Sequence, residues 1–132
     1  MKELAIVLRA AQFYAHHAHN IAKGATFFED HEYFGELYSA YEDAYDGVIE
    51  RIIGLGGSPD ISQIGMQAMK MSSGHQSTGN RECFEYLLEF EETICEMCKK
   101  FNEGASLGTQ NFIQGLADES EMRQYKIGQR LK

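Results

Sequence analysis

The chain has 132 residues, with one proline, no tryptophan and a formal net charge of −8. That length suits one domain with a single core and is too short for two. The acidic balance argues against general affinity for nucleic acid, which is held mainly by Lys and Arg, and favours attraction of cations. No apolar run approaches the roughly 20 residues that span a bilayer.

The opening MKELAIVLRAAQ lacks the cleavage-site pattern of a secretory leader and reads as helix from the outset. Residues 3–22 form the first predicted helix, which ends at the glycine-led break KGA. The second covers residues 29–55 and stops at Gly56-Gly57-Ser58-Pro59, a strong terminator. A longer connection follows, with a short helix over residues 61–71 and then the flexible stretch SSGHQSTGN. The third and fourth long helices cover residues 81–103 and 109–131. No segment has the period-two pattern of a strand. Four long helices with one extended crossover between the second and third resemble a ferritin-like four-helix bundle, all-α, because such a crossover makes those two helices parallel.

Cys95 and Cys98 form a CxxC inside the helical EFEETICEMCKKF. A zinc site needs two further ligands, and neither Cys83 nor a nearby histidine completes the spacing. The pair therefore reads as buried or half-buried thiols. An odd cysteine count argues against a disulfide scaffold and for a reducing, cytoplasmic setting.

The second helix carries two stripes at helical spacing. Phe34, Leu37, Tyr41, Tyr45, Val48 and Ile52 form the predicted core face. A second stripe, rotated roughly 130° from it, holds His31, Gly35, Ser39, Glu42, Asp46 and Glu50. This stripe mixes small residues with potential metal ligands, where a solvated face usually carries long charged side chains. Gly35 in mid-helix costs about 1 kcal/mol relative to alanine, which suggests close approach of something to the helix.

Asp46 and Glu50 are one turn apart and can converge on one ion. His31 and Asp46 are about 22 Å apart along the axis at 1.5 Å per residue and cannot meet within one chain. An antiparallel copy of the helix from a second subunit, with a two-fold axis near Ser39 and Ala40, brings His31 of one chain to Asp46 and Glu50 of the other and forms two such sites. His19 ends the first helix where His31 begins the second, and a short connection makes these ends neighbours. Two imidazoles then face two carboxylates. Mixed nitrogen and oxygen donors suit Fe(II), and also Zn(II) or Mn(II).

The run H-N-I-A-K-G-A-T-F-F-E-D-H-E-Y-F, followed by L-Y and D-G-V-I-E-R-I-I-G-L-G-G, resembles the Dps-type mini-ferritins, the DNA-binding proteins from starved cells. The likeness covers residues 16–59 and rests on the ordered set His19, Gly24, Phe27, His31, Asp46, Glu50, Arg51, Leu55, Gly56 and Gly57. QYKIGQRL is similar to the family's closing helix, with less specificity. The resemblance implies a homo-oligomeric, usually dodecameric, hollow shell with ferroxidase sites at its two-fold interfaces. There, Fe(II) is oxidised by peroxide or oxygen and stored as Fe(III) mineral, which limits oxidative damage. It implies His19 and His31 as imidazole ligands, with Asp46 and Glu50 supplied by the partner chain.

The chain departs from that pattern at three places. The family has an aspartate four residues after the second histidine; here the position is Gly35, and Glu36 is rotated about 100° from it. This leaves two readings: an active ferroxidase, or a Dps-like shell or interaction protein with weakened oxidation. The family's tryptophan after the first histidine is Asn20 here, and Tyr14, Tyr41 and Tyr45 are candidates for its role beside their use in packing. The Lys/Arg-rich tail that often precedes the first helix is not seen, so DNA binding is expected to be weak at this net charge. The remaining groups have plainer readings. His16 and His17 are expected at the surface or as secondary metal contacts, and His75 falls in the flexible link. Glu82, Glu85, Glu89, Glu92 and Glu96 are expected as a solvated or cavity-facing acidic face, since an intrachain di-iron site generally needs Glu-x-x-His pairs.

Overall fold

The computed structural model describes residues 1–75 and 78–132. Five α-helices, and no strand, make up the described residues: α1 (Lys2–Ile21), α2 (Phe27–Gly54), α3 (Ile61–Ser73), α4 (Asn80–Asn102) and α5 (Leu107–Arg130). Each predicted helix is present, with its ends displaced by at most two residues. Residues 76 and 77, in the middle of the stretch expected to be flexible, lie outside the described residues. Among the described residues no helix is long and apolar enough to cross a membrane.

The helix ends have local causes. α2 begins two residues before the predicted start because Thr26 Oγ1 donates to Asp30 Oδ2 at 2.7 Å and organises its first turn. At its other end Gly56 has φ +93, its N–H bonds to the Ile53 carbonyl, and the Gly57 N–H bonds to that of Ile52. These crossed bonds are a Schellman termination, which needs a residue free to take positive φ. Asp60 caps α3, accepting from the Gln63 N–H at 3.0 Å.

Side-chain pairing sets the directions of the helices. Asn80 bonds to Asp30 and Phe84 packs on Phe34, so α2 and α4 run parallel with a constant offset in sequence. Arg130 reaches Asp30 and Arg123 reaches Glu91, so α5 runs antiparallel to both. α3 lies along α1, with Lys2 bonded to Gln63, and carries the chain back between the parallel pair. Phe34, Leu37, Tyr41, Tyr45 and Val48 are buried as the α2 core stripe predicts, while Ile52 is half-buried near the helix end.

The core also contains charge. Glu91 is fully buried; Ser120 Oγ donates to its Oε2 at 2.7 Å and Arg123 Nε to its Oε1 at 2.7 Å. The Tyr41 hydroxyl on α2 is buried against Glu91, while those of Tyr33 and Tyr45 are buried with no hydrogen-bond partner among the described residues. Burial, with the Glu91 charge, pushes the Tyr33 phenol up to about 12. About two turns further along α5, at its C-terminal end, Arg130 donates to Asp30, which also receives hydrogen bonds from Thr26 and Asn80. Burial opposes ionisation of Asp30, but these donors and the Arg130 charge outweigh it and hold the carboxyl below its ordinary range.

Glu91→Ala leaves the nearly buried Arg123 guanidinium with only the exposed Glu119 carboxylate, 3.9 Å away, and should cost about 3–5 kcal/mol, read as a lowered urea midpoint. Tyr45→Phe removes a buried hydroxyl that has no partner and should be neutral or slightly stabilising. The depressed Asp30 carboxyl contributes stability that is complete above the unfolded value of about 3.9. That contribution fades as pH falls through the lower folded value. Asp30→Asn should therefore flatten the acid limb of a stability-against-pH curve; an unchanged limb would rule out this group as its source.

Candidate metal centre

His19 sits in the last turn of α1 and His31 in the second turn of α2. The last carbonyls of a helix lack intrahelical donors, and the His19 carbonyl is one of these. His31 Nδ1 donates to it at 2.8 Å. His19 Nδ1 donates in return to the His31 carbonyl, also at 2.8 Å. The two imidazoles stack with centroids 3.8 Å apart and planes 20° from parallel. Phe27 stacks on His31 at 4.8 Å, and Tyr38 meets the His19 ring edge-on at 5.5 Å.

This crossed clasp sets the chemistry of both rings. A carbonyl only accepts, so each Nδ1 carries a proton, and the neutral form of each ring has its lone pair on Nε2. A backbone carbonyl on the rear nitrogen is the usual way a protein orients a metal-binding histidine. Both rings are half-buried, and the two Nε2 atoms have no hydrogen-bond partner among the described residues.

Gly35 is part of the clasp. A Cβ built there would lie 3.2 Å from His19 Nδ1 and 3.3 Å from Cε1. The expected close approach to the helix is thus made by the His19 ring, which passes over Gly35 to reach the carbonyl one turn earlier. Asp46 and Glu50 stand exposed further along the same helix, and Glu50 borders a cleft with Arg51 and Phe112. The chain does not bring them to the histidines. Among the described residues no three His, Cys, Asp or Glu side chains of one chain are grouped to hold a metal.

The other sequence candidates take plainer places. Glu82, Glu85, Glu89, Glu92 and Glu96 are all exposed on α4. His16 is exposed, with its ring 4.6 Å from Tyr38, and His17 is exposed near Tyr14. His75 packs on Tyr86 and Phe90. Sequence reasoning placed both Phe27 and Tyr38, the latter in the L-Y pair, in the family pattern without a role for either. Phe27 precedes His31 by four residues, so helical spacing alone puts it on the same face.

Gly35→Ala should fail to deliver the roughly 1 kcal/mol that alanine normally gains in a helix, because the doubly bonded His19 ring has little room to yield. The two Nδ1–H resonances, protected from exchange in the natural chain, should broaden or shift together. A stabilised variant with both resonances unmoved would show that the clasp does not depend on Gly35.

The ferritin-like domain family matches residues 2–132, and the chain belongs to that family. No curated protein matches it. Ferritin-like domains generally bind iron.

Proposed function

We propose that this ferritin-like domain is a Dps-type mini-ferritin, a single four-helix-bundle subunit that oxidises and stores iron. The observation that carries the reading is the histidine clasp, which engages both Nδ1 atoms and leaves both Nε2 atoms for a ligand. In this reading Asp46 and Glu50 of a second subunit complete the ligand set across a two-fold interface, and the subunits close into a hollow, dodecameric shell. Fe(II) is the substrate. The nitrogens bind it without changing its charge, and the partner's carboxylates favour the ferric product. Each peroxide accepts one electron from each of two Fe(II) ions, its O–O bond breaks, and with two protons from solvent it leaves as two waters while the ferric ions pass into mineral. Zn(II) and Mn(II) suit the same donors without that electron transfer. An odd number of cysteines, three, fits a reducing cytoplasm. A net charge of −8 per chain makes DNA condensation a minor activity at physiological salt.

A second reading keeps the shell and weakens the oxidation, and Gly35 favours it: the position where the family places a carboxylate is occupied by the His19 ring. Anaerobic Fe(II) loading followed by peroxide or oxygen separates the two. The first reading expects saturable oxidation that His31→Ala abolishes. Linear, unsaturable oxidation unaffected by that change would leave only the shell.

The shared site also makes a prediction about mixtures. His31→Ala and Glu50→Ala chains should each be inactive alone. In a random two-fold assembly their co-assembly should restore about a quarter of the sites, since one of the two sites in each mixed pair then has all its ligands. Complete inactivity of well-formed mixed shells would exclude ligands shared between chains.

A further inference from the structure

Cys95 and Cys98 lie one turn apart on α4 and both border a cleft of about 430 Å³ between α4 and α5. Cys95 is half-buried and Cys98 is 2% exposed. Both thiols are free. Gln124 Nε2 donates to Cys95 Sγ at 3.2 Å, and Ser120 Oγ lies 3.4 Å from the same sulfur. Lys99 and Glu121 also border the cleft, so their opposite charges leave its net charge near zero. The pair is remote from the histidine clasp. Asn80 marks the end of α4 nearest Asp30 and His31, and Cys95 stands about 22 Å further along at 1.5 Å per residue.

Two thiols in such a place have three evident uses, and geometry discriminates among them. A disulfide needs Cβ atoms about 3.5–4.5 Å apart, whereas residues three apart on an intact helix hold theirs at roughly 5–6 Å. Closing that bond would break a well-formed turn of α4. Zinc requires four ligands, and no third His, Cys, Asp or Glu is grouped with the pair among the described residues. A soft monovalent d¹⁰ cation is satisfied by two opposed thiolates. Two metal–sulfur bonds of about 2.3 Å place the sulfurs roughly 4.5 Å apart, a span that side chains one turn apart reach without distorting the helix. Thiolate donors also select Cu(I) over harder divalent ions.

We propose that Cys95 and Cys98 form a two-coordinate site for Cu(I) in the α4–α5 cleft. As the ion binds, each thiol gives its proton to solvent and the two sulfurs become its ligands. The complex carries one net negative charge, and the Gln124 N–H pointing at Cys95 Sγ stabilises it. No electron is transferred, and the iron site takes no part.

Anaerobic titration of the full chain against the coloured Cu(I)–bicinchoninate complex tests this. A His19→Ala/His31→Ala background keeps the clasp imidazoles out of the reading and leaves the outcome independent of the iron proposal. One Cu(I) per chain is expected, with a sulfur-to-copper absorption in the near ultraviolet. Cys95→Ser and Cys98→Ser should each lose it, while Cys83→Ala should keep it. Undiminished uptake by folded Cys95→Ser would overturn the site. Should Cys98→Ser fail to fold, alkylation of the natural chain gives a second measure: stoichiometric Cu(I) should block labelling of both Cys95 and Cys98, and unchanged labelling also overturns it. Peroxide treatment of the metal-free chain should yield no Cys95–Cys98 disulfide; rapid formation of that bond would remove the geometric argument.

Discussion

The exchange of imidazole N–H groups between the His19 and His31 carbonyls is the contact on which the candidate centre depends. It is first a structural device. It satisfies a carbonyl orphaned at the end of α1 and ties the last turn of α1 to the second turn of α2. Because each bond consumes an Nδ1 proton, the same contact determines which nitrogen faces outward. The stacked rings, with Phe27 on one side and Tyr38 on the other, have no freedom to rotate without losing both bonds. A ligand pair built this way is organised before any ion arrives, which removes part of the entropy cost of binding it.

Gly35 shows how the clasp and the missing carboxylate are related. From the sequence, the glycine can be read as a lost ligand or as room for a close neighbour. In the structure the space is filled by His19, whose ring lies within 3.2 Å of where a Cβ would be. An aspartate there would need the ring to give by a few tenths of an ångström, and would set a charge beside the two imidazoles. Glycine keeps the imidazoles fixed and leaves the negative charge to come from elsewhere.

Much of this was legible in the chain. Long runs at helical spacing and the glycine breaks located the five helices, because an apolar stripe and a terminator are both local signals. The turn that brings His19 to His31 was legible for the same reason. The interior charges were not read, although one signal existed. Glu91 occupies the core stripe Phe84, Leu87, Ile94 and Cys98, so a carboxylate at a buried position could have been noticed among the exposed glutamates of α4. Its partners could not. Ser120 and Arg123 lie on α5, whose apolar stripe is interrupted by polar residues, and Asp30 meets Arg130 across nearly the whole chain. Pairing at that separation follows from the packing of helices and leaves no periodic trace. α5 is therefore held to the other helices substantially by specific polar contacts, which set its register where a greasy face would tolerate slippage.

The division of ligands between chains has a chemical consequence for the proposed iron chemistry. One chain offers only neutral nitrogens at the clasp, and its own Asp46 and Glu50 lie too far along α2 to help. Neutral donors bind Fe(II) without offsetting the extra charge of Fe(III), so an unassembled chain lacks the anionic partners that stabilise the oxidised product. In the proposed assembly those partners come from a second subunit, and oxidation would be confined to assembled protein, where the ferric product would form beside the proposed storage compartment. A glycine at position 35 strengthens this dependence, since a carboxylate on the same turn as His31 would have given a lone chain some capacity to oxidise iron in open solution.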